Sequence, residues 1–471
     1  MSRQTRRPHA LVVAYNFPPH AAIGTMRTLR VVRRLAEENW DVTVVTSDPG
    51  TYRAGTPVDD RLMARVPEGV RIVRARVVRG FDALKQSVKA VRPGGGDRAA
   101  QSSSAAGARP AAARGVVQRS IDFVDAALAI PDHESGWLVP AVAQGWAAVR
   151  ANRPDVLYSS APPWTGQLVA RALVSLIGCP WVADFRDPWA RAPWREDRRP
   201  FAVRAAGVLE RSVVEGAQQV IFVAKGNHAD FVRHYGASVA ARFRVVPNGC
   251  DPEEFDQLKR PPLDPDAPFV LLHAGSLYAG RTPQPLLNAL AVAIRAGIID
   301  PRRFRLRLLG TTALSDLSAV SRDLGIEEIV EFIPRVARDE SLRAMMSASA
   351  LLLLQPGHTI SVPGKVYEYL ASGRPILAIA EEGEIADLVR VSGMGVSVTP
   401  SDETAIVAAL QQIMRMAVGG VPMPRRELFD GRLGAAHIVD VVSSVARGET
   451  VPLVGGHKLA MQTTPVEKQG L

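Results

Sequence analysis

Nothing limits the folding of this chain more than the alternation of short apolar runs with helix-patterned ones. "ALVVAYNFP" is apolar and stops at Pro18-Pro19; "IGTMRTLRVVRRLAEEN" spaces Met26, Leu29, Val32 and Leu35 by three; "WDVTVVTSD" is apolar again. Strand, glycine-containing loop, helix, strand is the βαβ unit of a doubly wound parallel sheet. "GVRIVRARVV", "PDVLYSSAPPWTGQLVARALVSLIGCPWVADFRDPW", "QQVIFVAKGNHADFVRHYG" and "FRVVPNGCD" repeat the theme. Residues 251–268, "DPEEFDQLKRPPLDPDAP", are polar and Pro-rich and read as a linker. Beyond them "FVLLHAG", "FRLRLLG", "IVEFIPRV", "ASALLLLQPG", "PILAIA" and "GVSVTP" alternate with helical patterns, which predicts a second doubly wound domain. The expected division is an N-terminal domain over 1–250, the linker 251–268 and a second domain over 269–425. A terminal helical segment over 426–447 is expected to pack back on the first domain, ahead of a tail, 448–471, with little to fold. Within the first domain, residues 92–115 are Gly/Ala/Ser-rich and read as a flexible surface insertion.

Composition narrows the function. Hydrophobic residues make up 47% and charged residues 22% of the 471, which is globular. No stretch approaches the roughly 18 to 20 apolar residues of a spanning helix, and the basic start runs directly into a strand pattern. A cytoplasmic protein is expected. Cys179 and Cys250 form neither a disulfide framework nor a metal-ligand spacing, so structural zinc is not expected, and without an Asp-x-Asp motif at a suitable strand end no metal is implied. The net charge of +10 is uneven: residues 1–200 hold 29 Lys+Arg against 18 Asp+Glu, the remainder 28 against 29. A basic N-terminal half suits an anionic membrane or anionic ligands. Without a zinc finger, an aromatic stacking motif or a basic recognition helix, nucleic acid is not expected. Arg71, Arg74, Arg76 and Arg79 alternate in one strand-like run, with Lys85, Lys89 and Arg92 beyond. They are the expected contacts to an anionic membrane surface, giving peripheral attachment at its inner face.

One stretch carries chemistry. In "SVPGKVYEYLASGRPILAIA" (361–380), Pro363 and Gly364 suit a helix start, Gly373 stands where a left-handed cap would, and "PILAIA" reads as a buried strand. Lys365 and Glu368 share a face at i, i+3 spacing. A lysine in a first helical turn opposes the helix dipole. Either it is solvated at slight cost, or lysine and dipole together meet a bound anion. Its place after the strand "LLLLQ", at the ligand-binding edge of a parallel sheet, favours the anion.

The order of these motifs resembles the retaining, GT-B-fold glycosyltransferases of family 4. "YNFPPHAAIGTMR" is similar to that family's N-terminal loop, and "DFRDPW" (184–189) to a segment of bacterial cell-surface polysaccharide transferases. "VVPNGCDPEEF" is similar to the interdomain motif, "HAGSLYAGRTPQPLLNAL" to the opening of the donor domain, and "PGKVYEYLASGRPIL" to a variant of the donor-binding motif. The resemblance covers roughly residues 10–90 and 116–445. It implies transfer of a sugar from a UDP- or GDP-linked donor to a glycan, lipid-linked or small-molecule acceptor. No further cofactor is implied. The family pattern has two glutamates in the donor motif. Here the second is Glu368, and Ile360 stands at the position of the first.

The resemblance also implies roles. Glu368 would accept hydrogen bonds from the ribose hydroxyls. Arg281 and Lys365 would hold the diphosphate, where charge develops on the leaving group. Gly24, Gly275, Ser276 and Gly364 would let backbone approach the phosphates. Arg335 and Val336 would lie beside the nucleobase. Asp184, Arg186 and Asp187 would orient the acceptor hydroxyl or the donor sugar; a structural Asp–Arg pair is the alternative, because charges at a strand end are costly to bury unless paired. Retention in this family is thought to proceed on one face, with the leaving phosphate helping to deprotonate the acceptor. His20, His133 and His273 are lesser candidates, and Trp137 would line either the acceptor side or the core. Two other functions fit the same fold: a nucleotide-sugar epimerase and a non-catalytic nucleotide-sugar-binding protein.

Overall fold

The structure is a computed structural model that describes residues 6–79, 130–193, 199–278, 281–314, 316–357 and 359–451. The insertion expected at 92–115 lies outside the described residues, as do Lys85, Lys89, Arg92 and the tail from 452.

The first sheet has seven strands, β1 (His9–Val13), β2 (Asp41–Ser47), β3 (Arg71–Ala75), β4 (Val156–Ala161), β5 (Trp181–Phe185), β6 (Gln219–Phe222) and β7 (Phe243–Val245), in the order β3-β2-β1-β4-β5-β6-β7. Its longer helices are α1 (Ile23–Glu37), α2 (Leu138–Val149), α3 (Thr165–Ile177), α4 (Pro200–Gly216) and α5 (Lys225–Tyr235). The second sheet has six strands, β8 (Phe269–Ala274), β9 (Phe304–Leu309), β10 (Val330–Ile333), β11 (Ala350–Gln355), β12 (Ile376–Ala380) and β13 (Gly395–Val398), ordered β10-β9-β8-β11-β12-β13. With it go α6 (Gln284–Arg295), α7 (Leu317–Asp323), α8 (Arg338–Ser347), α9 (Lys365–Ser372), α10 (Glu384–Ser392) and α11 (Glu403–Gly419).

Every ladder in both sheets is parallel. The central strands β1, β4, β11 and β12 are buried along their whole length, which is why they read as continuous apolar runs and not as alternating ones. Each sheet reverses its order once, between β1 and β4 and between β8 and β11. Such a switch point opens a crevice at the carboxyl ends of the strands.

A final helix, α12 (Gly431–Ala446), belongs spatially to the first domain. Ile438, Val442 and Val445 bury against Leu29 and Val32 of α1 and the face of β1 and β2. The chain therefore crosses between domains twice, and the two crossings touch. Cys250 N–H donates to the Phe429 carbonyl and Gly431 N–H to the Cys250 carbonyl, both at 2.8 Å. Arg30 clamps this junction by donating to the Asp251 carboxylate and to the Gly249 carbonyl.

Candidate active site

Helix α9 follows the Pro363-Gly364 loop, with Gly364 as its N-cap and Gly373 closing it at φ 68°. Lys365 Nζ donates to Glu368 Oε2 at 2.7 Å, and Arg338 Nη1, from the first turn of α8, to Glu368 Oε1 at 3.1 Å. Lys365 thus neither waits in solvent nor relies on the dipole: its immediate partner is the glutamate one turn on. Arg338 also pairs with Glu254, Glu254 with Arg65, and Arg65 with Asp251, which holds Arg30. Alternating charges run without a break from α1 to the carboxyl edge of the second sheet. Burial on its own would raise the Glu368 pKa, but Lys365 and Arg338 hold the carboxylate below its ordinary range. Glu368 keeps 13% of its side chain exposed, Lys365 30% and Arg338 34%, so a ligand can reach all three.

Arg281 reaches the same edge. Its Nη2 donates to Gln355 Oε1 at 2.6 Å, its guanidinium lies 5.1 Å from the centre of the Tyr278 ring, and its Nε is buried without a partner. Beneath it, His273 hydrogen-bonds through Nδ1 to the Leu352 carbonyl at 3.0 Å and leaves Nε2 unpartnered. Burial, then the charges of Arg281 and Lys365, push the His273 pKa down to about 4. His273 is therefore neutral at neutral pH, with the positive charges of Arg281 and Lys365 both opposing its protonation. Gly275 lines a cavity of about 220 Å³ with Leu277, Gly310, Phe332 and Pro334, and Ser276 Oγ shares a 2.8 Å hydrogen bond with Thr311 Oγ1 beside it. The lining stops at Pro334. Arg335 is exposed in the following loop and Val336 packs against the apolar core, so neither side chain faces that cavity.

The acceptor-side triad divides. Asp184, expected at the cleft, is 0% exposed: it accepts from Arg27 Nε at 2.8 Å and Nη2 at 3.0 Å, from Tyr158 Oη at 2.8 Å and from Ser160 Oγ at 3.0 Å. Fully buried beneath the sheet edge with four donors on its carboxylate, it has no exposed face, and the geometry is that of the structural alternative, with Arg27 and not Arg186 as the partner. Arg27 also donates to the Val246 and Pro247 carbonyls, which fixes the chain just before it crosses between domains. Arg186 turns the other way. Its guanidinium donates to the Ala161 and Pro162 carbonyls and covers Gly24 so closely that a Cβ on Gly24 would overlap it. Burial lowers the Arg186 pKa, against the opposing charges of Asp187 and Asp184. Gly24, Arg186 and Asp187 therefore gather at the loop edge while Asp184 supports them from below.

Trp137 is fully buried in the core and lines nothing. His20 is buried, its Nδ1 accepting from Ala22 N–H at 3.2 Å, and His133 is exposed. The basic run is also corrected: Arg74 donates to the Pro18 carbonyl and Arg79 pairs with Glu134 at 2.9 Å, which leaves Arg71 and Arg76 exposed. Sequence reasoning missed Arg338, although it is a cation in a first helical turn, the same signal that singled out Lys365. Glu254 was passed over inside the linker. Among the described residues no cluster of three or more His, Cys, Asp or Glu could hold a metal ion, and no helix is long and apolar enough to cross a membrane.

Two doubly wound domains with facing carboxyl edges and a paired crossing define the GT-B class. Solved structures share this fold. A sucrose-phosphate synthase from Thermosynechococcus elongatus is 15% identical, with TM-score 0.58 over 94% of this chain and 97% of that chain. HepE of Anabaena, in complex with UDP and glucose, is 15% identical, with TM-score 0.54 over 93% and 100%. Residues 67–254 match the family model described as Glycosyltransferase Family 4, and residues 268–416 match Glycosyl transferases group 1. A D-inositol 3-phosphate glycosyltransferase of Kineococcus radiotolerans is 29% identical over 190 residues, 37% of this chain and 42% of that protein. A probable glycosyltransferase of Pseudomonas aeruginosa, WbjE, is 35% identical over 78 residues, 16% and 20% of the two. These matches span less than half the length of either curated relative. The two glycosyltransferase family models thus fall one in each half of the chain, and the fold is GT-B.

Proposed function

We propose that this protein transfers a sugar, with retention of configuration, from a UDP- or GDP-linked donor to a glycan, lipid-linked or small-molecule acceptor. The observation that carries the reading is the Lys365–Glu368–Arg338 cluster: a half-sealed carboxylate and two cations at the switch-point edge of the second sheet, beside an apolar-floored cavity. In this reading Glu368 accepts the ribose hydroxyls, and charged acceptors make the stronger bonds. Lys365, released from Glu368 by the ligand, joins Arg281 on the diphosphate, where charge grows as the sugar departs. Arg186, held on main-chain carbonyls over Gly24, presents a cation from the opposite domain. Anabaena HepE, of the same fold, binds UDP and glucose, which supports a nucleotide-sugar donor here.

The test is incubation of the full chain with UDP- and GDP-sugars, reading free nucleoside diphosphate with and without glycan and lipid-linked acceptors. Acceptor-dependent release is expected. A changed sugar still attached to its nucleotide would mean an epimerase, and binding without turnover a non-catalytic protein. Contact with an anionic membrane rests on the basic N-terminal half, of which Arg71 and Arg76 remain exposed. Sedimentation with anionic vesicles should be lost at high salt.

A further inference from the structure

In the loop after β11 the position of the family's first glutamate is held by an apolar residue, Ile360, which offers a donor sugar no carboxylate. The next loop, after β12, does the opposite. Glu384 opens α10 at the same carboxyl edge and reaches across the cleft, where its Oε2 accepts from Lys225 N–H at 2.7 Å, the first residue of α5 in the other domain. The next N–H, of Gly226, also favours the charged form of this carboxylate. Around this contact the two domains meet backbone to backbone: a Cβ on Gly226 would lie 2.5 Å from the Thr359 carbonyl oxygen and 2.8 Å from Ile360 Cα. Only glycine permits that approach.

Glu384 is placed unlike its acidic neighbours. Glu382 and Asp387 pair with Arg390 at 3.2 and 2.8 Å, whereas none of the ion pairs among the described residues includes Glu384. Burial raises its pKa, against the bonds from Lys225 and Gly226, and its charge is felt by Tyr367, next to Glu368. A carboxylate has about four lone-pair positions, and two main-chain donors leave half of them open. The turn it touches holds further unused capacity. Asn227 is 1% exposed and neither its Nδ2 nor its Oδ1 has a partner, an expense that buried amides seldom carry without a ligand to relieve it.

We propose that Glu384 is the carboxylate that accepts the hydroxyls of the donor sugar in this chain, on the edge where Ile360 offers none, and so ties the bound sugar to α5 of the acceptor domain. The inference rests on the glycosyltransferase reading and adds the residue that reads the sugar. Glu368 and Lys365 hold the nucleotide; Glu384 distinguishes what is attached to it.

The experiment compares wild type, Glu384→Ala and Glu384→Gln, each checked by thermal unfolding. Affinities for UDP and GDP are measured, then turnover with UDP-glucose and GDP-mannose and with their singly deoxygenated analogues. For Glu384→Ala, nucleoside diphosphate affinity should stay within about twofold. Turnover of the full donor should fall on the order of 10- to 100-fold, as loss of a charged hydrogen bond implies, while the analogue lacking the contacted hydroxyl loses almost nothing further. Glu384→Gln should recover part of the loss. An equal drop across every analogue would make Glu384 a domain latch and overturn the inference, as would no drop at all. Wild-type protein that binds neither nucleotide nor nucleotide sugar would overturn the functional reading itself, and this inference with it.

Discussion

Two arginine–carboxylate pairs stand at the carboxyl edges of the two sheets, and they have opposite fates. In the first domain Arg27 and Asp184 are 4% and 0% exposed, and Tyr158 and Ser160 also donate to the Asp184 carboxylate. In the second, Arg338 and Glu368 keep 34% and 13% exposure, and Lys365 completes the cluster from the solvent side. The residue types are nearly the same. A sealed pair bonded by four donors holds parts of a fold together, here β5, α1 and the approach to the crossing. An open pair can exchange one of its partners for a ligand.

The sharpest way to break this comparison is to remove one carboxylate from each pair. Asp184→Ala leaves Arg27 charged and buried, which should cost about 3 to 5 kcal/mol in a denaturant titration. Glu368→Ala, at a solvent-facing cleft, should change stability by no more than about 1 kcal/mol. Equal destabilisation by the two variants would erase the distinction.

A sealed titratable group also lies under the open site, and pH should reveal it. His273 has its pKa lowered to about 4 from 6.5, so the unfolded chain takes up a proton as the pH falls below 6.5 while the folded chain does not until about 4. Stability contributed by neutral His273 is therefore present above pH 6.5 and drains away between 6.5 and 4. The loss amounts to about 3 kcal/mol at pH 4. Chemical denaturation of His273→Gln across that range should show a correspondingly flatter profile than the wild type.

Binding sharpens the open side. Glu368→Ala should weaken a free nucleoside on the order of 10- to 100-fold, read by calorimetry, because a charged acceptor for the ribose is lost. Wild-type affinity in this variant would remove Glu368 from the donor site. Smaller still, Lys365→Ala and Arg281→Ala should each weaken a nucleoside diphosphate by roughly tenfold relative to the nucleoside. If both ligands lost affinity alike, the cations would serve only to position Glu368.

The sequence alone determined the alternation of buried strands and amphipathic helices. Strands covered on both faces must be apolar throughout, and helices covered on one face must repeat near 3.6. From that came two doubly wound domains, and from Lys365 and Glu368 one turn apart came the charged pair at the edge of the second sheet. Tertiary structure decided which charges are sealed. "DFRDPW" carries nothing to say that Asp184 turns under the sheet toward Arg27, 157 residues earlier, while Arg186 turns out over Gly24. It decided, too, that Arg338 and Glu254 join Glu368 to the first domain, and that Glu384 spans the cleft to α5. Periodicity reports the face on which a residue lies within its own element. Partners brought from a hundred residues away, and the water they exclude, are set by how the two sheets meet.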